Sequence, residues 1–177
     1  MDLNILEDWR KDNVNYLSIN VGFDVMSRDE TLATLAAYRR WLLAHSDQFL
    51  LAEKFSDIDH AYRSGRLAIS FDIEGMNALG GDINMVEVYH TLGVRQMLFA
   101  YNLNNLAAGG CHDVDIALTE FGIDILTEMN RVGMLVDASH TSYRTSMDLI
   151  ERSKTPVVFS HSNPTSVWQH QRNIKDE

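Results

Sequence analysis

Residues 67–100 read LAISFDIEGMNALGGDINMVEVYHTLGVRQMLFA, and the order of patterns within them decides the fold. Leu67–Ile73 is a short apolar run and reads as a buried strand. Ile83–Leu92 carries apolar residues at helical spacing and stops at Gly93, a residue suited to the left-handed turn that ends a helix. Val94–Ala100 is a second apolar run. Strand, helix and strand in such close succession predict a parallel crossover unit.

The same alternation continues in both directions. Upstream, Val14–Val21 reads as a strand, Glu30–Ala44 as a helix with Ser27 or Asp29 as N-cap, and Asp57–Ser64 as a short helix closed by Gly65. Downstream, Tyr101–Ala117 is a long polar loop, and Thr119 caps a helix that runs to Arg131 and stops at Gly133. Met134–Ala138 is a strand, a helix follows through Glu151, and Pro156 opens the strand Val157–Ser160. Strands apolar on both faces, alternating with helices, predict an α/β fold with a parallel sheet covered by helices. Both a TIM-like (β/α) barrel and a doubly wound open sheet fit that pattern. Polar residues directly after the strands, Glu74, Tyr101, His140 and His161, favour the barrel, whose enzymes build their sites at strand C-termini. About five of eight β–α units are legible, so we expect one incomplete barrel domain over residues 1–177, either part of a larger barrel or self-associating with a second copy.

Composition narrows the function classes. Hydrophobic residues at 45% and charged residues at 23% are ordinary for a globular chain. A net charge of −10 disfavours a nucleic-acid binder, which needs a basic face. No apolar run approaches a membrane span, and the charged start MDLNILEDWRKDN is unlike a signal peptide. The single cysteine, Cys111, has no intramolecular partner, so a cytoplasmic location is expected.

Two imidazoles and a carboxylate at three strand ends, His140, His161 and Glu74, suit a borderline metal such as zinc. A carboxylate can also bridge two metals that share a hydroxide for hydrolysis. Cys111-His112-Asp113 offers a replacement ligand or a plain polar loop, and the sequence leaves both open. Asn102, Asn104 and Asn105 either line the pocket or turn the chain. Asp137 reads as a hydrogen-bonding support, while His45, His60, His90 and His170 read as solvated. Ser160 and Ser162 lack the G-x-S-x-G elbow of a serine hydrolase.

The runs FDIEG, LGVRQMLFAYNLNN, LTEFG, EMNRVGMLVDASH, PVVFSHSNP and HQRN, in this order and spacing, resemble the renal (membrane) dipeptidase family of zinc peptidases. The likeness covers about Leu67–Asp176, and residues 1–66 share it only loosely. It implies a TIM-like barrel and a site of two zinc ions that hydrolyses dipeptides. By position, Glu74 would be the bridging, catalytic carboxylate, and His140 and His161 would ligate one metal. Arg172 would hold the substrate carboxylate, a task its planar fork suits. Tyr101 stands where the family carries a substrate-contacting histidine, so a phenol would replace an imidazole there. The family's other ligands, a His-x-Asp pair on its first strand and an aspartate near its last, are not found in this reading of the sequence.

Overall fold

The computed structural model describes residues 2–176. Its elements follow the expected alternation: α1 (Leu6–Lys11), β1 (Tyr16–Phe23), α2 (Arg28–Ala44), β2 (Phe49–Leu51), α3 (Phe55–Arg63), β3 (Leu67–Glu74), α4 (Met85–Thr91), β4 (Val94–Leu98), α5 (Glu120–Val132), β5 (Leu135–Asp137), α6 (Tyr143–Arg152) and β6 (Val157–Val158). Every pairing is parallel, in the order β1-β3-β4-β5-β6, with β2 also paired to the first residues of β3. The sequence pattern did not reveal β2. Its three residues are too few to show a period, and it exists through the register Phe49↔Leu67 to Leu51↔Ile69.

The helices form where the sequence supplies start and stop signals. Ser27 closes a capping box with Glu30 at the start of α2, which selects it over Asp29 as the cap. Thr119 accepts a hydrogen bond from the Gly122 N–H, and Gly133 ends α5 in the left-handed conformation (φ 81°). Ser142 caps α6.

One face of β3, Leu67, Ile69, Phe71 and Ile73, is completely buried in the main core with Leu35 of α2, Tyr89 of α4 and Met129 of α5. The opposite face departs from the expectation of apolar strands on both sides. Ala68 packs on Ala61 of α3, but Ser70, Asp72 and Glu74 follow it. Tyr16 Oη lies 2.7 Å from Ser70 Oγ, and Asp72 accepts from Ser18 Oγ at 2.5 Å and Asn20 Nδ2 at 3.1 Å. Gln96 of β4 donates to Asp137 at 2.6 Å. This face of the sheet is thus a ladder of hydrogen-bonded polar groups, and this reduces the penalty of holding them away from water. The two outer strands, β1 and β6, pair on one side only among the described residues.

A candidate metal centre at the strand ends

Glu74 is the last residue of β3, and the chain turns sharply after it. Gly75 has φ 116°, and a Cβ there would stand 2.1 Å from Cγ of Asp24. Glycine is required on both counts. Asp24 follows β1 and fastens three segments at this end of the sheet. It accepts from the backbone N–H of Asn77 (3.0 Å), the backbone N–H of Tyr101 (2.9 Å) and Asn105 Nδ2 (2.9 Å). Burial still pushes its carboxyl above the ordinary value. Sequence reading missed Asp24, because its partners lie more than 50 residues away. It missed Asp72 too, although polar residues at every second position of β1 and β3 were a usable signal.

His140 sits in the turn after β5 with φ 64°, a conformation few non-glycine residues adopt. Thr141 Oγ1 donates to the Ala138 carbonyl at 2.6 Å, and the Cys111 N–H donates to the His140 carbonyl at 2.8 Å, which holds the turn. His140 Nδ1 lies 2.8 Å from Asn102 Oδ1, and its ring lies against Tyr101, centroids 4.7 Å apart. Tyr101 in turn meets Phe23 at 5.4 Å. His161 follows β6, with its Nε2 2.9 Å from His140 Nε2 and 3.7 Å from Glu74 Oε1. One ligand atom from each of Glu74, His140 and His161 lies within 4.8 Å of the others, which brings the three expected ligands together.

Arg172 reaches this cluster from the C-terminal segment. Its Nη2 lies 2.6 Å from His140 Nε2, its Nε lies 3.3 Å from His140 Nδ1, and its Nη1 donates to the His161 carbonyl at 2.8 Å. A guanidinium can only donate, so the short Nη2 contact requires a bare lone pair on His140 Nε2. Burial and the Arg172 charge hold the His140 imidazole down to about 4, and the same causes lower His161. Glu74 is pushed up to about 7 by burial and by the neighbouring Asp72 and Asp137, with Arg172 opposing. Two imidazoles held neutral and a carboxyl group therefore bring ligand atoms close together, and a cation suits that donor set.

The other candidates stay outside this point. Cys111 Sγ faces Asn102 Oδ1 at 3.7 Å, His112 contacts Gln171, and Asp113 accepts from the N–H groups of Asn104 and Val114. Asn104 and Asn105 brace the loop through Gly110, Val114, Phe99, Ala107 and Ala108. The expectation that the sequence holds no His-x-Asp pair is corrected by His45-Ser46-Asp47, but its imidazole stacks on Trp41 at 4.1 Å and bonds the Trp41 carbonyl. His45 is thus half-buried rather than solvated, because it caps the end of α2 against an indole face.

Comparison with known proteins finds relatives along most of the chain. The family model for membrane dipeptidase (peptidase family M19) matches residues 9–177. An uncharacterized dipeptidase of Schizosaccharomyces pombe is 31% identical over 171 residues, 93% of this chain and 41% of that protein. An amidohydrolase structure from Pseudomonas aeruginosa superimposes with a TM-score of 0.94 at 32% identity, over 98% of this chain and 53% of that one. A metallopeptidase from Rhodobacter sphaeroides, liganded with a phosphinate mimic of the dipeptide L-Ala-D-Ala, shares the fold with a TM-score of 0.77 at 22% identity, over 89% of this chain and 47% of that one. The chain spans 35–41% of the length of the curated relatives it matches. Among the described residues no helix is long and apolar enough to cross a membrane. With the model matched along nearly all of its length, the chain belongs to the membrane dipeptidase family, peptidase family M19.

Proposed function

We propose that this chain carries part of the active site of a zinc-dependent dipeptidase, with residues 1–177 forming one barrel-type domain. The observation that carries the reading is the convergence of Glu74, His140 and His161 from three neighbouring strand ends within 4.8 Å. Glu74 has two carboxylate oxygens and would serve two zinc ions, with His140 and His161 on one of them. When bound, zinc supplies Lewis acidity and lowers the pKa of water. Arg172 holds the dipeptide carboxylate through two parallel N–H donors, leaving His140 Nε2 as it does so. Tyr101 lies over His140 and donates its phenolic proton to the substrate oxygen that gains charge. The dipeptide mimic bound by the Rhodobacter sphaeroides relative supports this substrate class. A lone, half-buried cysteine supports a cytoplasmic setting.

The test is zinc content after loading and dialysis, alongside release of amino acids from a panel of dipeptides. Glu74→Gln is expected to lose bound zinc and hydrolysis together. Wild-type protein that retains no zinc, and differs in no property from Glu74→Gln, would sink the reading. A second reading, hydrolysis of another amide, draws on Tyr101 in place of the family histidine. Restored dipeptide turnover in Tyr101→His, with none in the wild type, would favour it.

A further inference from the structure

We propose that Asp137 and Ser160 are positioning residues that fix His161 in its Nδ1–H tautomer and so aim its bare Nε2 at Glu74. The proposal rests on the metal-site reading above and assigns the support behind one of its ligands. Asp137 ends β5 and is completely buried. It accepts from Gln96 Nε2 at 2.6 Å, from the Ser139 N–H at 2.8 Å and from the Ser160 N–H at 3.3 Å. Ser160 Oγ also makes a short hydrogen bond to Asp137 Oδ2, and its other neighbours are His161 Nδ1 at 2.6 Å and, at 3.5 Å, the Ser139 hydroxyl, which can donate to it. The Ser139 hydroxyl accepts from the His161 N–H at 3.3 Å and steadies the backbone of the same residue.

Counting protons decides the direction of this chain. A carboxylate has no proton to give, so Ser160 must donate its single hydroxyl proton to Asp137. Ser160 Oγ is then left with lone pairs only, and it can meet His161 Nδ1 only if that nitrogen carries the ring proton. The opposite tautomer would turn the hydroxyl proton toward His161 and set Ser160 lone pairs against the buried carboxylate. It would also place an Nε2 proton between His161 and His140, whose Nε2 lone pair already accepts from Arg172 Nη2 at 2.6 Å. His140 is set in the same sense by Asn102 Oδ1 at 2.8 Å, so both imidazoles carry the proton on Nδ1 and leave Nε2 bare. Partners behind ligating histidines orient the ring and typically change metal affinity by about 10–100-fold when removed.

Long-range proton–nitrogen NMR on metal-free, histidine-labelled protein reads the tautomer directly, with the His161 signals assigned by their loss in His161→Asn. Zinc affinity is measured separately by competition with a chromophoric chelator. The wild type is expected to show His161 as Nδ1–H. Ser160→Ala is expected to shift the population toward Nε2–H and weaken zinc by about 10–100-fold, and Ser160→Thr, which keeps the hydroxyl, to restore both. Asp137→Asn, whose amide can donate to Ser160 and reverse the chain, is expected to shift the tautomer the same way. An Nε2–H tautomer in the wild type, or a tautomer and zinc affinity unmoved by Ser160→Ala, overturns the proposal. If no form binds zinc, the metal reading fails on its own and the tautomer still decides this one.

Discussion

Asp24 shows how much a single side chain can organise. Three donors from two separate segments converge on it, and Gly75 leaves room for its carboxylate. Even so, burial is the larger influence and raises its pKa. The folded chain therefore binds this proton more tightly than the unfolded one. Its contribution to stability is fully present below the unfolded value near pH 4 and is lost as pH rises through the raised folded value. The stability gap between wild type and Asp24→Asn, from urea midpoints, is expected to shrink as pH rises through that window; a gap independent of pH would refute the assignment. Glu74, His140, His161 and Arg172 were singled out from the sequence because strand ends and the family runs marked them. Asp24 was not, since its role rests on partners more than 50 residues away in the chain, invisible to any local pattern, whereas Asp72 left a signal in the alternating polar residues of β1 and β3 that went unread.

At the scale of elements, α2 and α5 were legible through their N-caps, α1 was not read, and the strands after β3 were read too long. Val94–Ala100 pairs only to Leu98, because Asn105 Nδ2 takes the Phe99 carbonyl at 2.8 Å. Val157–Ser160 pairs only to Val158, because Ser160 turns in to meet Asp137. Strand ends that leave the ladder are what deliver side chains to the site. Helix α5 is tied to the same region. The Thr119 hydroxyl accepts from the Gly122 N–H at 3.0 Å and donates to the Leu106 carbonyl at 2.7 Å. A Cβ on Gly122 would stand 2.2 Å from the Ala107 carbonyl oxygen, so helix and loop are in direct contact. Thr119→Ala is expected to cost about 1–2 kcal/mol. Faster amide exchange at residues 106–108 should accompany it, and unchanged exchange there would show that the cap does not hold the loop.

On the scale of the whole molecule, the sheet has two open edges among the described residues. Beside β1 lies an apolar groove lined by Ile5, Leu6, Trp9, Leu17 and Ile19, with Ile5 and Trp9 half exposed. Unpaired parallel edges next to apolar surface favour association. The charge of −10 opposes it, so added salt should promote it. Light scattering is expected to give a mass above one chain that grows with ionic strength, and a monomer at every salt concentration would count against this. The polar ladder inside the sheet reaches further still. Unfolding exposes Ser18, Asn20, Ser70, Asp72, Gln96 and Asp137 along with the apolar core, and polar hydration lowers heat capacity where apolar hydration raises it. Calorimetry should therefore give a heat-capacity increment below the usual figure of roughly 12–15 cal/mol/K per residue. The stability of this chain would then vary less steeply with temperature, warm or cold, than that of a core of the same size filled with hydrocarbon.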